Sequence, residues 1–234
     1  MSWSADVKRC EIKYRIPQST ALKLEKRVSK ILKGDPNNPG PEGYMIRSLY
    51  FDSHIDCDFN EKTGGTLEHK KIRLRIYSPN AKWAKLELKE KTGIWQRKRS
   101  LSLSRADAEA LISGDFTPLL ISGEALAEHL YFIMTHNIYR PRCIIQYSRL
   151  AFLGPINNTR ITFDKNIQAS ESNYDLFSDR LILYPVSAPY LVTLEVKYDG
   201  FLLSYIKDLL DIANKAAVSS SKYIMGRLSS HNIE

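Results

Sequence analysis

From His69 to Ser102 the chain alternates almost without a break, with K-K-I-R-L-R-I-Y-S-P-N-A-K-W-A-K-L-E-L-K-E-K at its centre. Charged and apolar residues exchange places at every second position on both sides of Ser78-Pro79-Asn80, which predicts a β-hairpin. One face carries Lys71, Arg73 and Arg75, then Lys85, Glu87 and Lys89. The other carries Ile72, Leu74 and Ile76, then Leu86 and Leu88. A single strand of this kind would be read as a sheet with one wet face. Here the pattern recurs in Glu11/Lys13, Tyr147/Arg149, Arg160/Thr162/Asp164 and Glu195/Lys197. Matching parity in so many strands predicts a sheet curled around a charged interior.

Such an interior would gather Lys13, Arg73, Arg75, Lys89, Lys98, Arg149, Arg160 and Lys197, set against Glu11, Glu87, Asp164 and Glu195. Two like charges ~4 Å apart repel by about 4 kcal/mol at an effective dielectric of ~20. A polyanion, water or counter-ions must offset that cost. The net charge of +8 points the same way, towards nucleic acid, nucleotide, polyphosphate or an acidic membrane surface. Because the basic residues are threaded through strands and not gathered in a tail, their geometry should be fixed.

At 234 residues, 43% hydrophobic and 26% charged, the chain reads as a single domain, 1–234, of ordinary globular composition. No apolar run reaches the length of a membrane span, and MSWSADVKRC lacks the apolar core of a signal peptide. Cys10, Cys57 and Cys143 are scattered, with neither a disulfide nor a zinc spacing, so the expected location is cytoplasmic. His54, His69, His129, His136 and His231 form no metal-ligand spacing, and neither a Walker A loop nor a dinucleotide motif is present.

In chain order, strands are expected at 8–16, 44–53, 69–77, 83–91, 94–103, 142–153, 159–165 and 190–198. Helices are expected at 18–33, from a capping box at Ser104–Asp107 to Gly114, at 123–137 and near 201–217. Residues 54–68 read as an irregular connection, and 166–188 carry no clear pattern. The fold class this predicts is α+β: a closed antiparallel eight-stranded β-barrel with peripheral helices.

At these same residues the sequence resembles the VTC domain, the polyphosphate polymerase module within the triphosphate tunnel metalloenzymes. The resemblance lies in E-I-K-Y at Glu11–Tyr14, S-L-Y-F-D at Ser48–Asp52, R-L-R at Arg73–Arg75, E-L-K at Glu87–Lys89 and Lys98 in K-R-S. It continues through Y-S-R at Tyr147–Arg149, R-I-T-F-D at Arg160–Asp164, L-E-V-K at Leu194–Lys197 and S-K-Y at Ser221–Tyr223. Each fragment alone is weak; together, in the family's order, they span nearly the whole chain. The wider superfamily opens with two glutamates before its lysine, whereas this chain has Arg9, Glu11 and Lys13. Neither an SPX-like regulatory region nor a membrane helix accompanies the module here, so export coupled to synthesis is not expected.

The resemblance implies a metal-dependent polymerase that transfers the γ-phosphoryl group of ATP to a growing polyphosphate chain. Its catalytic residues would be Lys13, Arg73, Arg75, Lys89, Lys98, Arg149 and Arg160, with Tyr147, Lys197, Ser221 and Lys222 binding substrate. Glu195 and Glu11 would hold Mn2+ or Mg2+, since hard divalent cations take oxygen ligands. The bland reading of each glutamate is an internal ion pair, to Lys197 or to Lys13. Two other functions share the same residues. One is a triphosphatase with water as acceptor; the other is a non-catalytic binder of polyphosphate or RNA. Single-strand binders interleave aromatics with basic residues so that bases can stack, and these faces are mostly Arg, Lys and Glu. Phosphate is therefore expected as the partner, and nucleic acid is not.

Overall fold

The computed structural model describes residues 9–93, 95–211, 218 and 221–228. Its elements in chain order are β1 (Arg9–Pro17), α1 (Gln18–Ile31), β2 (Lys33–Gly34), β3 (Tyr44–Asp52), α2 (Cys57–Thr63), β4 (Glu68–Ile76), β5 (Trp83–Thr92) and β6 (Trp95–Ser104). There follow α3 (Arg105–Ser113), α4 (Thr117–Ile121), α5 (Ala125–His136), β7 (Arg140–Leu153), β8 (Arg160–Ser170), β9 (Tyr184–Pro185), β10 (Leu191–Asp199), α6 (Ser204–Leu210) and α7 (Lys222–Leu228). The class is α+β, with a large antiparallel sheet in the order β1-β10-β8-β7-β3-β4-β5-β6, β2 added to β7 and β9 to β8.

Two counts differ from expectation. The sheet has ten strands, because β2 and β9 are two-residue pieces too short to carry a pattern. Among the described residues β1 pairs with β10 and β6 with β5, and no hydrogen bonds join β1 to β6, so the described sheet is not closed. Seven helices are seen among the described residues where three or four were expected. The additional ones, α2, α4 and α7, are single-turn or two-turn helices whose ends tertiary contacts hold, and such short helices have almost no sequence signature.

The chain divides into two compact units. The first comprises Met1–Met45, Tyr147–Ile167 and Ser187–Ser220; the second comprises Ile46–Gln146, Gln168–Val186 and Ser221–Glu234. Each has its own core. In the first, α1 buries Ala21, Leu24 and Val28, three and four residues apart, as a helix with one apolar stripe must. They pack with Ile16, Phe163, Val192 and Leu194 from β1, β8 and β10. Pro17 keeps an extended backbone ahead of α1, and the Gln18 amide donates to the Tyr190 carbonyl at 2.8 Å. The helix expected near 201–217 forms as α6, and residues 212–217 of that expectation lie outside the described residues.

In the second unit the alternating hairpin behaves as its period requires. Ile72, Leu74 and Ile76 of β4 and Leu86 and Leu88 of β5 enter the core with Leu49 and Phe51 of β3. The Ser78 hydroxyl accepts the Asn80 amide at 3.2 Å and sets the turn. The Ser104 N-cap of α3 forms where it was read: its hydroxyl accepts from the Asp107 amide at 3.1 Å and donates to the Asp107 carboxylate at 2.6 Å. Residues 54–68, expected to be irregular, contain α2. Its first turn is capped from the preceding strand end, the Cys57 amide donating to Ser53 Oγ at 2.9 Å and the Asp58 and Phe59 amides to the Asp52 carboxylate, both at 2.9 Å.

Candidate functional site

The second unit carries a cationic sheet face. Backbone register places Ser48, Arg75, Lys85 and Ser102 in one row across β3, β4, β5 and β6, and Tyr50, Arg73, Glu87 and Ser100 in the next. A third row holds Lys71, Lys89 and Lys98. Glu87 sits at the centre, 1% exposed. Arg73 Nε donates to Glu87 Oε2 at 2.6 Å, Arg75 lies 3.8 Å from the same oxygen, and Lys98 pairs with Oε1. Arg73 also donates to the Tyr50 hydroxyl at 2.9 Å, Arg75 to the Ser48 hydroxyl at 3.2 Å and Lys71 to the Ser221 hydroxyl at 2.8 Å.

The electrostatics follow from that crowding. Burial by itself would raise the Glu87 carboxyl, but Arg73, Arg75 and Lys98 outweigh it and pull the group down to about 2. Lys98 is pushed below its ordinary value, by burial first and by the guanidinium groups of Arg73 and Arg75 as well, against the pull of Glu87. One carboxylate thus serves three cations. This face offers positive charge to an anion, and its arginine forks suit phosphoryl oxygens.

The first unit carries a face of a different kind. Register sets Glu11 beside Lys197 and Arg160, then Lys13 beside Glu195 and Thr162, across β1, β10 and β8. Lys13 Nζ lies 2.8 Å from Glu11, and Lys197 reaches both Glu11, at 3.6 Å, and Glu195. Arg149 forms a two-pronged pair with the wholly buried Asp164, at 2.6 and 2.8 Å. Burial opposes the Arg149 charge, and Asp164 more than reverses this, so the guanidinium stays protonated well above its ordinary range. Arg160 donates to Asp35 at 2.6 Å and to the Tyr44 hydroxyl at 3.0 Å. Tyr147 is buried beneath Arg149, whose guanidinium carbon stands 5.4 Å from the ring centre. Gly43 shapes this wall: a Cβ there would lie 2.0 Å from the Arg149 carbonyl oxygen, and its φ of +76° suits only glycine.

The expected residues therefore divide between two faces. Lys13, Arg149, Arg160, Tyr147, Lys197, Glu195 and Glu11 belong to the first unit. Arg73, Arg75, Lys89, Lys98, Ser221 and Lys222 belong to the second. The expected ion pairs of Glu11 with Lys13 and of Glu195 with Lys197 are both present.

Among the described residues no group of three His, Cys, Asp or Glu side chains could cage a metal ion. Glu11 and Glu195 nevertheless converge on a single cation, the Lys197 ammonium, and the buried Thr162 hydroxyl in the neighbouring register position has no hydrogen-bond partner among the described residues. Magnesium-like sites commonly use one or two carboxylates and complete their shell with water and substrate phosphates. The donor set fits a site of that kind and not a protein-only cage.

Several participants escaped the sequence reading. Tyr50 and Asp52 share the parity of Ser48, a signal present in S-L-Y-F-D but not used. Lys71 was placed on the hairpin's charged face without a role. Asp35, in a proline-rich loop, gave no signal at all, because its partner Arg160 lies 125 residues away. Asp58 is the other surprise. Fully buried on α2, it accepts from the Tyr139 hydroxyl at 2.9 Å and pairs with Lys70 at 3.2 Å. Burial still dominates and drives its carboxyl up to about 7.

Comparison with curated protein sequences found no match. Among solved structures, a candidate adenylyl cyclase from Hippeastrum, HpAC1, described as having a dominant triphosphatase activity, superposes with a TM-score of 0.55 at 13% identity, over 94% of this chain and 95% of that one. A candidate adenylate cyclase from Bacillus halodurans gives a TM-score of 0.51 at 12% identity, over 92% and 95%. At these identities the likeness establishes the fold alone. The family model for the VTC domain matches residues 8–231, nearly the full length. The chain belongs to the VTC domain family.

Proposed function

We propose that this protein is a metal-dependent polyphosphate polymerase that transfers the γ-phosphoryl group of ATP to a growing polyphosphate chain. The observation that carries the reading is the cationic face of β3–β6, where Arg73, Arg75 and Lys98 crowd a single buried glutamate beside Lys71 and Lys89. Phosphoryl transfer relies chiefly on positioning and on fixed charge that stabilises the moving group. In the proposed reaction a terminal oxygen of the chain bonds to the γ-phosphorus, the bond to the β-phosphate oxygen breaks, and ADP leaves.

Arg73, Arg75, Lys89 and Lys98 would bind and orient phosphoryl oxygens. Lys13, Arg149 and Arg160 would complete the catalytic set, and Tyr147, Lys197, Ser221 and Lys222 would contact substrate. Glu195 and Glu11 would hold Mn2+ or Mg2+, which when bound neutralises phosphate charge and orients the phosphates. Closure of the sheet into a barrel, one domain spanning 1–234 and a cytoplasmic location belong to the same proposal. Supporting the last, the three cysteines are free and no helix of the described residues is long and apolar enough to cross a membrane.

A second reading, triphosphate hydrolysis, is favoured by the activity described for the Hippeastrum protein. One incubation separates the two: purified protein with ATP and Mn2+, resolved on a gel. A ladder of long polyphosphate is the expected result. Free phosphate without polymer would assign hydrolysis, and neither product would leave a binding protein.

A further inference from the structure

Asp52, at the end of β3, is wholly buried and belongs to neither charged cluster by contact. Its carboxylate is nevertheless saturated with donors. Oδ1 accepts the Ser53 and Asp58 amides at 2.8 and 2.9 Å; Oδ2 accepts the Phe59 amide at 2.9 Å and the Tyr223 hydroxyl at 2.5 Å. Three of these bonds tie down β3 and the first turn of α2. The fourth reaches across 171 residues to α7.

Everything else about α7 points to a helix whose setting is over-determined. The Tyr223 ring stacks on Tyr50 with centres 5.1 Å apart and meets Phe59 edge-on at 6.3 Å. Burial, then the Asp52 charge, raises the Tyr223 phenol above its ordinary value, so it remains a proton donor. Three residues on, Gly226 is seated so tightly that a Cβ would come within 2.2 Å of Ile145 Cδ1. Arg227 clamps the far end, bonding Asp56 at 2.7 and 3.2 Å and pairing with Glu171 at 2.9 Å. Immediately before the helix stands Ser221, whose hydroxyl receives Lys71 of the cationic face. Tyr50, beneath Tyr223, receives Arg73 of the same face.

We propose that Asp52 is a positioning residue for phosphate binding: by holding the Tyr223 hydroxyl it fixes α7, and so sets Ser221 and Lys222 at the Lys71–Arg73 end of the cationic face. The inference rests on the reading of that face as a phosphate site. It requires that the Asp52–Tyr223 bond act on ligand through residues 221 and 222, not merely through general stability.

The test is a double-mutant cycle on metal-free binding of inorganic triphosphate, measured by calorimetry. Tyr223→Phe keeps the ring and its stacking and removes one hydroxyl. Alone it should weaken binding by about fivefold to tenfold, the worth of one such hydrogen bond. Lys222→Ala should weaken binding as well. In the double variant the two losses should not multiply, because Tyr223→Phe misplaces a lysine that is already gone. Asp52→Asn serves as the second probe of the same bond. Losses that multiply, or a Tyr223→Phe protein that binds as tightly as wild type, would overturn the positioning role. Arg73→Ala is run alongside. If it and Lys222→Ala both leave binding unchanged, the phosphate reading of the face fails, and the inference falls with it by a separate route.

Discussion

The two charged faces are built from similar strand motifs yet balance their charges in opposite ways. In the first unit carboxylates match the cations in number: Glu11 and Glu195 with Lys13 and Lys197, Asp164 with Arg149, Asp35 with Arg160. In the second, Glu87 is divided among Arg73, Arg75 and Lys98. A cation matched by its own carboxylate has less left for a ligand than one that shares. A shared carboxylate leaves net positive charge pointed at whatever anion arrives. Under the proposed function, the second unit would supply the stronger share of the anion grip. The first would be the place where a divalent cation has carboxylates to meet it.

The sharpest way to break this contrast is to remove one arginine from each face. Arg149→Ala strands the wholly buried Asp164, and losing one partner of a buried pair typically costs about 3–5 kcal/mol. Arg73→Ala leaves Glu87 still paired with Arg75 and Lys98. It should barely change stability while weakening triphosphate binding by about 1.5–3 kcal/mol, the worth of one charged hydrogen bond. Urea unfolding and calorimetric titration of both variants check the pair. Equal stability losses would erase the distinction between the faces.

Next in size is Glu195→Gln, which keeps shape and removes a charge. Turnover with Mn2+ should fall by about a hundredfold or more if a metal is anchored there, since metal ions supply several kcal/mol of charge stabilisation. Metal-free triphosphate binding should hold or tighten, because a repelling charge has gone. Full turnover in the Gln variant would return Glu195 to the role of an ion-pair partner for Lys197.

A last test sharpens the comparison within the second unit, between two buried carboxylates. Glu87, held at about 2, binds fewer protons folded than unfolded, so its contribution to stability is present above the ordinary glutamate range and is lost as pH falls towards about 2. Asp58, at about 7, binds more protons folded than unfolded. Its contribution is therefore largest below about pH 4, the ordinary aspartate value, and declines as pH rises to about 7. Asp58→Asn should flatten that decline. Unfolding free energies measured at intervals across that window decide it; an unchanged slope would mean that Asp58 is ionised throughout.

The period-two alternation of 69–102, Glu11/Lys13 and Glu195/Lys197 is a property of neighbouring residues. It determined, from the sequence by itself, which segments are strands, which side of each is charged and which is core. The Ser104–Asp107 cap and the α1 stripe are equally local, and they formed where they were read. The S-L-Y-F-D and S-K-Y fragments were visible too, but not that Asp52 and Tyr223 bind one another, nor that Lys71 meets Ser221. Partner identity was decided only in the tertiary structure. The pairing of Arg160 with an aspartate 125 residues away, in a proline-rich loop, depends on what the fold brings together, and so does strand order; the opposite ionisation of Glu87 and Asp58 depends on burial and on the charges it gathers, a local field that neither spacing nor composition records.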